Sequence, residues 1–228
     1  MRVADAIHWA TNTSRIIRRD ESTTVLLIRH AHTTAIDRWL CGRQQGITLS
    51  GLGVVEAEEL GQTLAACCHL AAIYSSPLER ARDTADAIAR YQRSSVQQLC
   101  VDICDALNEI DFGAWTGKTF DELDADPRWQ AFNRTRASAT IPGGESPHAA
   151  QHRIVAAIAH VARDHRGKTI ALVSHAEIVR MALLHYQTIS LDHYHELEIL
   201  PASVSAVSVS PDGTHVQFVN RCAAALRP

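Results

Sequence analysis

The sequence predicts an α/β fold, a three-layer α/β/α sandwich whose central sheet is mostly parallel with an antiparallel edge. Short runs of aliphatic and β-branched residues alternate with amphipathic helical segments, a pattern typical of parallel sheets covered on both faces. Near the C-terminus a hairpin turn signal, Pro211-Asp-Gly213, separates two strand-like segments and predicts the antiparallel edge. A loop-like segment at about residues 112–145 interrupts the alternation, and we predict that it forms a small cap.

The first half of the chain contains two predicted strands and two predicted helices. Residues 24–29 form an aliphatic run of the kind expected in a strand buried on both faces. A loop rich in glycine and polar residues follows, and then a helical stretch that ends near Cys68. Residues 71–75 predict the second strand. Ser76 and Pro77 are interpreted as the N-cap and first residue of the next helix, because the missing N–H of proline would be unpaired there.

The second half repeats the pattern after the predicted cap. Its predicted elements are a helix at about 146–165, a buried strand at 169–174, a helix from Ala176 to about Tyr186, and strands at 204–209 and 216–219. Together these elements predict one domain at residues 23–228, preceded by an N-terminal extension at residues 1–22.

Length and composition favour an ordinary globular protein. The 228 residues suit one generous domain with a cap, and the formal net charge of −3 argues against binding to nucleic acid or to acidic membranes through bulk charge. No apolar stretch reaches the roughly 18 residues that a membrane helix needs. The six cysteines show no CxxC pair or framework spacing, so we expect a reducing, cytoplasmic compartment.

Four basic side chains lie at or just beyond the carboxyl ends of predicted strands. Arg29 and His30 follow the first strand, Arg80 lies in the first turns of the helix after the second, and His175 follows the strand at 169–174. Ligands of open α/β sheets bind outside the carboxyl ends of the strands, so these side chains are expected to converge there. Two arginines and two histidines would form a cationic pocket for one dianion, and a phosphoryl group is the expected guest.

The order of the motifs is more specific than any one of them. The ordered set is Leu27-Ile-Arg-His-Ala-His-Thr33, Tyr74-Ser-Ser-Pro-Leu-Glu-Arg80, Leu107-Asn-Glu-Ile-Asp-Phe-Gly-Ala-Trp-Thr-Gly117, Pro142-Gly-Gly-Glu-Ser146 and Val173-Ser-His-Ala176. With this set the sequence resembles the histidine phosphatase superfamily, the phosphoglycerate-mutase-like proteins, from about Thr24 to Asn220.

The resemblance implies a role for each of five residues. His30 matches the histidine that becomes phosphorylated, and Glu109 matches the proton donor. Arg29 and Arg80 match the phosphate-binding arginines, and His175 matches the second pocket histidine, which is both catalytic and phosphate-binding. Family membership also implies that no metal ion or organic cofactor is needed.

Physical reasoning on these roles gives two further expectations. A protonated His175 would help the two arginines hold the oxygens of the transferring phosphoryl group. Glu109 must be partly protonated to donate a proton to the leaving alkoxide, so we expect a raised pKa and a pH optimum on the acid side. The predicted function is metal-independent hydrolysis of a phosphomonoester, with a small phosphorylated metabolite as substrate.

Departures from the family pattern favour a phosphatase over a mutase. The glycine after the signature histidine is Ala31, and the common Gly-Gly after His175 is Ala176-Glu177. The asparagine that cofactor-dependent mutases carry is Ile36, and the arginine that they carry shortly before the Gly42 position is Trp39. A mutase must hold a second anionic group, and the basic residues for this are missing. We expect Glu177 to face solvent or an arginine. A phosphoglycerate-type mutase and a non-catalytic phosphate-binding or regulatory protein remain the alternatives.

Substrate choice, partners and a metal site are less constrained. Candidate rim residues are His32, Thr33, Arg43 and Trp115, with Phe112 and Glu145 beside them. No nucleic-acid or membrane partner is expected, and a homodimer is left open. A weak alternative is a metal site at His193 and His195, whose alternating spacing also arises by chance in a chain with thirteen histidines.

Overall fold

The central strands are hydrogen-bonded to one another in a register that aligns their carboxyl ends. In the computed structural model, which describes residues 22–92 and 99–227, six strands form one mixed sheet. They are β1 (Thr23–Arg29), β2 (Leu70–Ser75), β3 (Val101–Ile103), β4 (Thr169–Ser174), β5 (Val204–Ser210) and β6 (Gly213–Arg221). The order is β3-β2-β4-β1-β5-β6, parallel from β3 to β1 and antiparallel from β1 to β6. This confirms the predicted antiparallel edge.

Helices cover both faces of the sheet. They are α1 (Gly51–Cys67), α2 (Glu79–Tyr91), α3 (Phe120–Asp124), α4 (Pro127–Arg134), α5 (Pro147–Asp164), α6 (Ala176–Tyr186) and α7 (Ala223–Leu226). Successive side chains of β1 point to opposite faces, as in any strand. Leu26 and Ile28 belong to the cluster formed with α1 and α2, whereas Val25 and Leu27 belong to the cluster formed with α5 and α6. The three-layer sandwich is therefore confirmed.

The start of α2 differs from the sequence prediction. The helix begins at Glu79, its N-cap is Leu78, and the cap makes no side-chain hydrogen bond. The Ser76 hydroxyl instead accepts from the N–H of Leu78 at 3.3 Å and lies 2.7 Å from Nε2 of His175. The helix starts later than predicted, and the interpretation of Ser76 and Pro77 as N-cap and first helical residue is wrong.

The cap segment contains more regular structure than predicted. Thr119 begins α3 with a capping box that includes Glu122, and Asp126 caps α4, whose first residue is Pro127. The loop-like interpretation is therefore corrected to two short helices. Four aromatic rings hold the cap together at centroid distances of 5.3 to 6.4 Å, namely those of Phe112, Trp115, Trp129 and Phe132.

Two observations bear on the predicted organisation and on membranes. The predicted N-terminal extension lies outside the described residues except for Ser22, so its boundary stays a prediction. Among the described helices, none is long and apolar enough to cross a membrane.

Candidate active site

The carboxyl ends of β1, β2 and β4 lie side by side because backbone hydrogen bonds continue past the last strand residues. The N–H of His30 donates to the carbonyl of Ser174 at 2.9 Å, and the N–H of Ser76 donates to the carbonyl of Val173 at the same distance. The residues that follow these strands are therefore neighbours although they are far apart in the sequence. His30 and His175 meet there with ring centroids 5.2 Å apart and an interplanar angle of 65°.

The ring of His30 is oriented by its own main chain. Nδ1 lies 2.8 Å from the carbonyl oxygen of Ala31, which can only accept, so Nδ1 carries the proton. The remaining nitrogen, Nε2, then has a free lone pair. Burial first, followed by the charges of Arg29 and Arg80, lowers the pKa of His30 well below its ordinary value. The imidazole is therefore neutral near pH 7 and can act as a nucleophile.

The ring of His175 is completely buried. Burial, and next the charge of Arg80, lowers the pKa of His175 well below its ordinary value. These effects disfavour the protonated His175 of the sequence prediction, because a charged ring would have to lose its water beside cations that repel it. Nε2 pairs with the hydroxyl of Ser76, while Nδ1 is buried without a partner.

Ser76 can determine which nitrogen of His175 carries the proton. Its oxygen already accepts from the N–H of Leu78, so its own hydrogen is free to point at Nε2. In that arrangement Nδ1 of His175 carries the proton and is a donor without a partner. A neutral histidine can then donate a hydrogen bond to a phosphoryl oxygen.

The two arginines are held by backbone carbonyls. Nη2 of Arg80 donates to the carbonyl of Gly42 at 2.8 Å, and Nη1 of Arg29 donates to that of Ile199 at 2.7 Å. Gly42 adopts a positive φ of 49°, and a Cβ there would lie 2.7 Å from Oγ1 of Thr116, so glycine suits this turn. Neither guanidinium has a carboxylate partner in the described ion pairs, which leaves both charges available to an anion.

Glu109 lies at the edge of this cationic group with only 9% of its surface exposed. Its Oε1 accepts from the N–H of Ile110 at 2.9 Å. Burial, and next the charge of Glu177, raises the pKa of Glu109 to about 7. Nε of Arg43 donates to the main-chain carbonyl of Glu109 at 2.8 Å, and this hydrogen bond holds the main chain of Glu109 in place. A carboxyl group with this pKa can give and take a proton near neutral pH.

A family model agrees with this geometry. The model described as the histidine phosphatase superfamily, branch 1, matches residues 25–221. The chain belongs to this superfamily. The family predicted from the motifs is thereby confirmed.

Curated relatives of the chain differ in length and in name. A bifunctional protein of Mycobacterium tuberculosis is 33% identical over 208 residues, which cover 89% of this chain and 55% of that protein. The chain thus spans about half the length of the curated relatives that it matches over the longest stretch. A metal-independent phosphoserine phosphatase of Arabidopsis thaliana is 30% identical over 72% of this chain and 68% of its own.

Solved structures of the superfamily share the fold. Bacillus stearothermophilus YhfR has a TM-score of 0.78 and 28% identity, covering 86% of this chain and 96% of that one. A putative alpha-ribazole-5′-P phosphatase of Escherichia coli has a TM-score of 0.74 and 25% identity, covering 87% and 96%. Both similarities support the α/β fold of the chain.

A cavity of about 260 Å³ extends from His30 and Arg80 toward the cap. Arg29, His30, Arg80 and Glu109 line it, whereas His175 is fully buried and is not among the lining residues. Glu177, in the first turn of α6, also lines it. Its carboxylate pairs with Arg136 and Arg180, which agrees with the expectation that it faces an arginine. These arginines lower the pKa of Glu177 although burial opposes ionisation.

Some of the predicted rim residues line the cavity and others do not. Thr33 and Phe112 line the cavity. His32 does not, since Nδ1 of its ring lies 2.8 Å from the hydroxyl of Ser50 at the N-cap of α1. Arg43 and Glu145 are paired with each other at 2.9 Å outside the lining. Trp115 is fully buried in the aromatic cluster. His32, Arg43, Glu145 and Trp115 thus make structural contacts outside the cavity lining, and their assignment to the substrate rim stays a prediction.

Sequence reasoning missed three residues of the site. Ser76 pairs with the second histidine, and Asp37 and Arg136 line the cavity. A signal existed only for Ser76, which lies in the Ser-Ser-Pro motif before Arg80. The other two come from a loop and from the residues after α4, where spacing predicts no direction for a side chain.

The metal alternative lacks a third ligand. The rings of His193 and His195 stack at 6.2 Å, and Nδ1 of His193 pairs with Glu196. Within residues 22–92 and 99–227, no three His, Cys, Asp or Glu side chains group in a way that could hold a metal ion.

Core placement of Trp115 predicts a stability effect. We expect Trp115→Ala to lower the free energy of unfolding by about 3–5 kcal/mol, because a buried aromatic ring leaves a cavity. Urea unfolding measures this change in the free energy of unfolding. Phe120→Ala is the control, since Phe120 is 37% exposed and belongs to the same cap. Equal, small losses in the two variants would show that Trp115 is not a core residue.

Proposed function

We propose that the protein is a phosphatase that hydrolyses phosphomonoesters without a metal ion, through a phosphohistidine intermediate on His30. The observation that carries the proposal is the free lone pair on Nε2 of His30, directed by the Nδ1 contact to Ala31 and surrounded by Arg29 and Arg80. The family match and the relatives named as phosphatases support the same reaction class.

In the first step a bond forms between Nε2 of His30 and phosphorus while the bond from phosphorus to the ester oxygen breaks. The electron pair of that bond goes to the leaving oxygen, which takes the proton of Glu109. Arg29 and Arg80, with Nδ1–H of His175, hold the phosphoryl oxygens on which negative charge accumulates.

In the second step a water molecule displaces the histidine. Glu109, now a carboxylate, removes the proton of the water as its oxygen attacks phosphorus. The nitrogen–phosphorus bond breaks, its electron pair returns to Nε2 of His30, and inorganic phosphate leaves. A pKa of about 7 suits both steps, because Glu109 must be protonated in one and ionised in the other.

The intermediate can be trapped directly. We expect the protein, mixed with an aryl phosphate in the presence of a chelator and denatured at alkaline pH, to gain the mass of one phosphoryl group on the peptide that contains His30. The His30→Asn variant should show no gain. Loss of turnover on chelation, or an equal gain in the variant, would contradict the proposal. Absence of turnover from about pH 5 to about pH 8 would favour the non-catalytic phosphate-binding alternative.

A further inference from the structure

The cavity beyond the phosphoryl end is predominantly apolar. Its walls in that part are the side chains of Ile36, Trp39, Leu40, Phe112, Phe120 and Trp129. Phe112 and Trp129 are buried within the cap, whereas Phe120 is partly exposed. Aromatic rings favour contact with a flat, apolar partner, which they remove from water. This wall is in position to receive the alcohol part of an ester whose phosphate lies at His30.

The same part of the cavity offers no free positive charge. Among the described lining residues outside the phosphoryl end, Arg136 is the one cation, and it is 5% exposed. Its guanidinium carbon lies 3.4 Å from the centroid of the Tyr194 ring and 4.5 Å from that of Phe132. The nitrogens Nη1 and Nη2 donate to Glu177 and to Asn133. A guanidinium covered on two sides and paired at its end cannot readily take a second anion.

A negative charge faces the cavity instead. Asp37 lines it, is exposed, and makes no ion pair or side-chain hydrogen bond among the contacts that the structure gives for the described residues. A carboxylate on the substrate would meet this side chain, and the lining cation with which Asp37 interacts electrostatically, Arg29, is assigned to the phosphoryl group in the proposed function. Such an arrangement of like charges disfavours substrates with a second anionic group.

We propose that the substrate is a phosphomonoester of an apolar, ring-bearing alcohol that carries no carboxylate or second phosphate. This inference rests on the proposed phosphatase function and narrows it. It separates the protein from its Arabidopsis relative, because the substrate in that relative's name, phosphoserine, carries a carboxylate beside its phosphate.

Two matched pairs of esters test the inference. O-phosphoethanolamine and O-phosphoserine differ by one carboxylate, as do benzyl phosphate and 4-carboxybenzyl phosphate. We expect kcat/KM to be highest for benzyl phosphate and to fall at least about tenfold when the carboxylate is added in either pair. Equal or higher values for the carboxylated esters would overturn the inference while leaving the proposed function intact. If none of the four esters were hydrolysed, the proposed function itself would fail.

Two variants locate the cause. Asp37→Asn keeps the shape and the left-handed backbone, since Asp37 has a φ of 62° and asparagine tolerates that region. It should raise kcat/KM for each carboxylated ester relative to that of its uncharged partner in the pair. Phe120→Ala should lower kcat/KM for benzyl phosphate several-fold more than kcat/KM for O-phosphoethanolamine. The inference would also be overturned if Asp37→Asn left the discrimination against carboxylated esters unaltered and Phe120→Ala left the preference for benzyl phosphate over O-phosphoethanolamine unaltered.

Discussion

Replacing His30 with asparagine is expected to reduce kcat/KM for phosphomonoesters by at least about 10⁴-fold. Asparagine keeps a polar side chain of similar reach but has no nitrogen lone pair to attack phosphorus. The loss should be in kcat rather than in binding, because Arg29 and Arg80 stay in place to hold the phosphate. Steady-state kinetics with an aryl phosphate, together with the affinity for inorganic phosphate, separates the two effects.

The neighbouring histidine provides a matched control. His32 lies two residues further along, outside the cavity lining, and its ring nitrogen contacts the N-cap hydroxyl of α1. We expect His32→Asn to retain activity within a few-fold, since its amide can replace that contact. Activity lost equally in both variants would point to damage of the loop after β1 rather than to a nucleophile at His30.

The layers of the fold could be predicted because local patterns determine them. The aliphatic runs of β1 and β4 and the Pro211-Asp-Gly213 turn correspond to elements of the structure. The strand β3 and the helices of the cap were missed. Val101–Ile103 has only three residues, all partly or fully exposed, and pairs along its backbone with β2. Its position depends on a partner that is distant in sequence, which periodicity cannot show.

The phosphoryl end of the site was predictable for a related reason. Parallel strands align their carboxyl ends, so residues that follow β1 and β4 must meet. The side of the site formed by the cap was not predictable, because the directions of its side chains depend on packing. Trp115 illustrates this: its ring turns into the aromatic cluster, and its indole N–H donates to Asp126 at 3.2 Å. A Trp between Ala114 and Thr116 in a predicted loop gives no indication of that direction.

Replacing Glu109 with glutamine should lower kcat/KM by about 10²- to 10⁴-fold for alkyl phosphates such as benzyl phosphate. Their alkoxides are poor leaving groups that need a proton as the ester bond breaks, and glutamine has none to give. For 4-nitrophenyl phosphate the loss in kcat/KM should be much smaller, because that leaving group is stable as an anion. A loss that is independent of the leaving group would show that Glu109 does not act as the proton donor.

The dependence of kcat/KM on pH provides a second test of Glu109 as the proton donor. Because the pKa of Glu109 is raised to about 7, its acid form predominates below that pH and is lost as the pH rises above it. For benzyl phosphate, kcat/KM should therefore fall by about tenfold per pH unit above pH 7 in the wild type, and this decline should be absent in Glu109→Gln. Asp111→Asn is the control, since its side chain is 41% exposed and asparagine keeps the oxygen that accepts from Gly113. An unchanged alkaline decline in Glu109→Gln would assign it to another group.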